Sequence, residues 1–203
     1  MARASWLRSS RRSSSIRREH ACVDKGTLFA RPAVAIAPPT ADFAISSPDC
    51  AIVHIVSAPR RVADLRGLAS SKLGCELPHK PGLTAGDGFE FVWTGPDRWL
   101  AIGSRLPEAS MGKLASVFAE TASLVDVSDA YALLRLGSPK ANEALMKLLP
   151  IDLHPSAFPS GAVALTHIGH VGVIVVQRGP GPIFDVLVPR SFAASIVGRI
   201  EHA

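Results

Sequence analysis

Cysteine is scarce in this 203-residue chain: Cys22, Cys50 and Cys75 are odd in number, widely spaced and never paired as C-x-x-C. That pattern argues against a disulfide scaffold and a zinc site, and it fits a reducing, cytoplasmic setting. Long apolar runs are missing too. The most hydrophobic stretch, Val171 to Val176, has the length of a strand. It falls well short of the ~18 residues that cross a bilayer, so no membrane association is expected. No apolar segment follows the Arg- and Ser-rich start, as secretion would require. Neither G-x-x-x-x-G-K-[ST] nor a G-x-G-x-x-G after a strand occurs, which excludes the common nucleotide-binding loops.

Charge is thin as well. The formal net charge is +5, but residues 1–20 alone hold six Arg and one acid, Glu19, leaving 16 bases and 16 acids in residues 21–203. A neutral body has no electrostatic footprint for nucleic acid. Its 32 charged residues in 183 are about 17%, against roughly 25% in ordinary soluble domains. Such a surface suits a chain that hides part of itself against partners. A coding bias toward Ala and Arg accounts for the same composition, so composition alone does not decide between the two.

Residues 1–48 are aperiodic and rich in Ser, Arg, Pro and Ala. They read as a disordered tail and linker, with residues 1–20 a tail or an upstream start. Order is expected from Cys50, where Cys50–Val56 reads as a strand. A helix follows from about Arg60 with Val62, Leu65, Leu68, Ala69 and Leu73 on one stripe, stopped near Gly74. A loop rich in Pro and Gly leads to Phe89–Trp93, which turns at Gly95-Pro-Asp97 into Arg98–Ile102. A helix near 107–119 and a strand at 122–127 complete β-α-β-β-α-β, the ferredoxin-like order. The theme begins again with a strand at Tyr131–Leu136 and a helix capped by Ser138 with Pro139 behind it. Strands near 162–168, 171–176 and 183–188 follow. A last helix from about Ser191 carries Phe192, Ile196 and Ile200 at spacing four. The fold class is therefore α+β, with tandem modules at about 49–128 and 129–203.

Candidate sites are few and look structural. Asp126 and Asp129 bracket Ser128, but no histidine base can be assigned to them, so they read as turn caps rather than a triad. Trp99 is a core ring of the hairpin or, alternatively, a docking knob. Asp152 and His154 lie in an irregular loop, Ile151-Asp-Leu-His-Pro155, where bracing is favoured over catalysis. His167 and His170 flank Gly169, a tight turn with no third ligand nearby. Gly179-Pro-Gly-Pro182 has glycines, but its prolines lack the N–H groups that would cradle a phosphate. No catalytic, cofactor-binding or metal residue is assigned.

The ordered series Trp93–Leu100, Val125–Asp129, Leu136–Pro139, Ile151–Pro155 with Phe158, Gly161 and Thr166, and Phe184–Phe192 including Arg190 resembles the gamma subunit of heterotetrameric sarcosine oxidase. The match runs from about residue 50 to the end. Leu148-Leu149-Pro150 departs from it, since many members carry a Cys before that Pro. The resemblance implies a fold related to the glycine-cleavage T-protein and its folate-binding superfamily. It also implies a non-catalytic role in assembly with alpha, beta and delta subunits. The complex would demethylate sarcosine oxidatively, linking sarcosine catabolism to one-carbon metabolism. FAD, FMN, NAD and tetrahydrofolate are then expected on the partner subunits and none on this chain. Trp99, Asp126, Ser128, Asp129, Asp152, His154 and Arg190 become structural or partner-contact candidates. The alternative is a stand-alone folate-binding protein or aminomethyltransferase-like enzyme of the same superfamily.

Overall fold

The computed structural model describes residues 34, 36, 44–104, 107–179, 181 and 183–203. The tail read at residues 1–20, and most of the linker to residue 43, lie outside the described residues.

Two five-stranded antiparallel sheets carry the fold. In the first, β2 (Cys50–Ser57) runs into α1 (Val62–Leu68), which widens into a π-helical turn at Ala69–Leu73 and stops at Gly74 in the left-handed conformation. Then come β3 (Leu83–Gly86), β4 (Phe89–Gly95), β5 (Arg98–Ser104), α2 (Pro107–Phe118) and β6 (Ala122–Asp126). The strand order is β3-β4-β5-β2-β6. Leaving out β3, this is the ferredoxin-like order.

The second sheet is built from β7 (Tyr131–Leu136), α3 (Pro139–Leu148), β8 (Val163–Ile168), β9 (Val171–Gln177), β10 (Phe184–Pro189) and α4 (Ala193–Glu201). Its order is β8-β9-β10-β7-β1, the same pattern strand for strand. The place that β6 takes in the first sheet is filled here by β1 (Ile45–Ser46), which pairs antiparallel with β7 through Ile45 and Leu136. The expectation that order begins at Cys50 is therefore corrected. Ile45 is buried, and Val34 and Ile36 pack on the same core. The loop expected before Phe89 is corrected likewise, because it contains β3, paired with β4.

Alternation along the strands produces four layers. On β2, Val53 and Ile55 point to α1 and α2, whereas Ile52 points to the other sheet. On β7, Leu134 and Leu136 point to α3 and α4, and Leu133 points back to Ile52 and Ile102. Helices thus cover the outer face of each sheet, and the inner faces share a third apolar core. At α3 the Ser138 side chain accepts from the Ala141 N–H, as a Ser-Pro start dictates. Ile196 and Ile200 are buried in α4, but Phe192 is 47% exposed. It belongs to a 3-10 turn at Arg190–Phe192 ahead of the helix, so spacing four does not carry it onto the buried face.

Candidate functional site

The polar residues singled out in the sequence are mostly engaged by their own neighbours. Ser128 donates to Asp126 Oδ1 at 2.6 Å and accepts from the Ile52 amide at 2.9 Å. The Ser128 amide also donates to Asp126 Oδ1, at 2.9 Å. The turn after β6 is thus closed and tied to β2, with both the proton and a lone pair of the hydroxyl in use. Asp129 is 97% exposed with Arg190 Nη1 at 3.9 Å, a loose surface pair worth little. The Arg190 amide donates to the Ala130 carbonyl at 2.9 Å.

Asp152, His154 and Ser156 lie together in the loop after α3. The Asp152 carboxylate accepts the His154 backbone N–H at 2.8 Å, and His154 Nδ1 meets Ser156 Oγ at 2.7 Å. A triad needs the carboxylate on the second ring nitrogen, to fix the tautomer and steady the imidazolium. Here the carboxylate holds the backbone instead, so the arrangement braces the loop. His167 and His170 are exposed around the β8–β9 turn, where Gly169 has φ +61°. Among the described residues, no group of three or more His, Cys, Asp or Glu is placed to hold a metal.

Trp99 is fully buried. Its indole N–H donates to the Pro78 carbonyl at 2.8 Å, and the Arg66 guanidinium lies 5.9 Å from the ring centre. The ring is a core residue, with no face to present to a partner.

One constellation escaped the sequence reading. Asp185, 1% exposed, sits on the inner face of β10 directly across from Arg135 on β7. Arg135 grips both of its oxygens, at 2.7 and 2.9 Å, and Arg178 Nε reaches Oδ2 at 2.6 Å. Arg178 then crosses to Glu90 on β4, joining the two sheets. Burial disfavours the charge on Arg178, but the hydrogen bond to Glu90 and the charge of Asp185 outweigh it and raise its pKa. Cys50 lies beside this cluster, where burial and then the charge of Asp49 push its thiol up, away from reactivity. The one hint in the sequence is an aspartate inside an otherwise apolar strand, Phe184–Val188.

Two cavities test what these residues can hold. The cleft beside Arg135 and Arg178 measures about 560 Å³, but both guanidinium groups are already committed to carboxylates. A hollow of about 550 Å³ between α3 and the 152–160 loop has Asp152 in its lining and no Lys or Arg.

Tandem ferredoxin-like modules packed sheet to sheet define a two-module α+β fold. The glycine cleavage system aminomethyltransferase T from Bartonella henselae superposes with a TM-score of 0.59 at 10% identity, over 79% of this chain and 45% of that one. A chain of heterotetrameric sarcosine oxidase from Corynebacterium sp. U-96, solved with pyrrole 2-carboxylate, superposes with a TM-score of 0.67 at 25% identity. That match covers 78% of this chain and 81% of the other. Residues 63–201 match the sarcosine oxidase gamma subunit family, and the chain belongs to that family. Sarcosine oxidase subunit gamma from Arthrobacter sp. is 35% identical over 115 residues, and that from Corynebacterium sp. (strain P-1) 32% over 109. Those alignments span about half of each sequence: 54% of this chain and 55% of the first relative, 53% and 54% for the second.

Proposed function

We propose that this chain is the small, non-catalytic gamma subunit of a heterotetrameric, flavin-dependent sarcosine oxidase, and that its work is assembly. The partners would be the alpha, beta and delta subunits, with FAD, FMN, NAD and tetrahydrofolate bound on them. The complex would convert sarcosine to glycine, releasing the methyl carbon as formaldehyde or as methylene-tetrahydrofolate while oxygen becomes hydrogen peroxide. A cytoplasmic location goes with this reading; no helix among the described residues is long and apolar enough to cross a membrane. We read the two sheets as the two modules of one domain, at about 49–128 and 129–203.

The observation that carries the proposal is the superposition on 81% of a chain of that oxidase. The chemistry of the surface supports it, because the polar groups that resemble catalytic sets are consumed in turns and loops. Co-expression with the candidate partners tests it. The expected product is a yellow complex of four chains, two larger than this one and one very small, while this chain purified alone is colourless. A stoichiometric flavin on the isolated chain would overturn the assignment.

A further inference from the structure

The inner faces of the two sheets part at the end away from Asp185, where β7 begins and β10 ends. The cleft there measures about 420 Å³ and has apolar walls, among them Leu100, Val127, Ile174 and Leu187. Five polar side chains line it as well: His54, Thr94, Arg98, Tyr131 and Thr166. Each carries a hydrogen-bond donor. Among the described residues, none of these five side chains makes a hydrogen bond or an ion pair, and Thr94 Oγ1 is enclosed without a partner. No Asp or Glu lines the cleft. Burial lowers the His54 pKa and the charge of Arg98 lowers it further, as expected of a cation left without a neutralising carboxylate.

The apolar surface continues outside the cavity. Leu165 on its wall is 48% exposed. Val125, 53% exposed, stands directly across from His54 in the β2–β6 register and so shares its face. These are two of the five large apolar side chains exposed among the described residues. A small ligand would leave that rim uncovered, whereas a chain segment would cover it.

We propose that this cleft receives an acidic, apolar segment of a partner subunit: a carboxylate set against Arg98, with a neighbouring apolar side chain seated on Leu100 and Leu165. The proposal rests on the assembly reading above and specifies which face of the chain serves it. A cleft lined by donors, one of them a guanidinium, and by no carboxylate favours a carboxylate partner, because each hydrogen bond to it is charge-assisted.

The test is association of the full chain with its co-expressed partner subunits. The variants are Arg98→Glu and Leu165→Glu, both at exposed positions, with the remote exposed Lys72→Glu as control. Circular dichroism and thermal melting establish that each variant is folded. The expected result is at least tenfold weaker association for the two cleft variants, with Lys72→Glu unchanged. If wild type assembles and the cleft variants assemble equally well, this inference falls and the assembly reading stands. If wild type does not assemble, both fall. A third arm adds 3-phenylpropionate to the wild-type chain. Saturable binding abolished by Arg98→Glu, with assembly indifferent to the same change, would make the cleft a small-carboxylate site and overturn the docking proposal.

Discussion

At the scale of single residues, the contrast between Trp99 and Ser128 separates packing from polar bracing. Trp99→Ala removes a fully buried ring and strands the Pro78 carbonyl. It should cost about 3–5 kcal/mol in chemical denaturation. Ser128→Ala leaves the Ile52 amide without its side-chain acceptor and should cost about 1–2 kcal/mol. If the chain is an assembly subunit, alanine at Asp126, Ser128, Asp129 or His154 leaves turnover per flavin in assembled complexes near wild type. A catalytic acid or base would lower that ratio by ~10²–10⁴-fold, so a hundredfold loss in an intact complex would refute the non-catalytic reading. His54 carries a pH signature. Its folded pKa lies below the ordinary 6.5, chiefly through burial, so below pH 6.5 the unfolded chain binds more protons. The associated stability is fully present above pH 6.5 and is lost as the pH falls through the folded value. The drop in melting temperature between pH 7 and pH 5 should be smaller in His54→Gln than in wild type.

At the scale of elements, the start of α3 and the β4–β5 hairpin were legible because their chemistry is local. Ser138-Pro139 announces α3, and Gly95-Pro-Asp97 announces the β4–β5 turn, where Asp97 takes φ +57°. Strands β1 and β3 were not legible. They have two and four residues, too few for an alternation to register, and they exist only because a partner strand offers its edge. Ser138 ties the two kinds of element together. Its hydroxyl oxygen accepts from Ala141 inside α3 at 3.3 Å and from Ala44 just before β1 at 3.1 Å. Ser138→Ala should therefore do more than remove a cap worth about 1 kcal/mol. Amide hydrogen exchange is expected to rise both in the first turn of α3 and at residues 44–46; protection unchanged at 44–46 would refute the coupling.

At the scale of the whole molecule, the apolar layer between the sheets is joined by an ion-pair network centred on Asp185. The carboxylate is buried against Arg135 and Arg178, and Arg178 reaches Glu90 in the other sheet. Removing the carboxylate takes away the partner that Arg135 grips and leaves Arg178 with Glu90 alone. Asp185→Ala should cost about 3–5 kcal/mol, read from the denaturation midpoint. Asp185→Leu with Arg135→Leu restores an apolar cross-strand pair and is expected to recover part of that loss, since an ion pair in this position is replaceable by packing.

The sequence by itself determined the local periodicities, the element order that repeats, the neutrality of the body and the chemistry of the turns. Each depends on residues close together along the chain. Only the tertiary structure decided that β1 completes the second sheet, that Trp99 is buried, and that Glu90 meets Arg178 across 88 positions. It also decided that His54, Arg98 and Tyr131 share one cleft. Those outcomes depend on which sheet face meets which. That choice is made by the sum of many apolar contacts in the layer between the sheets, and no short window of sequence contains that sum.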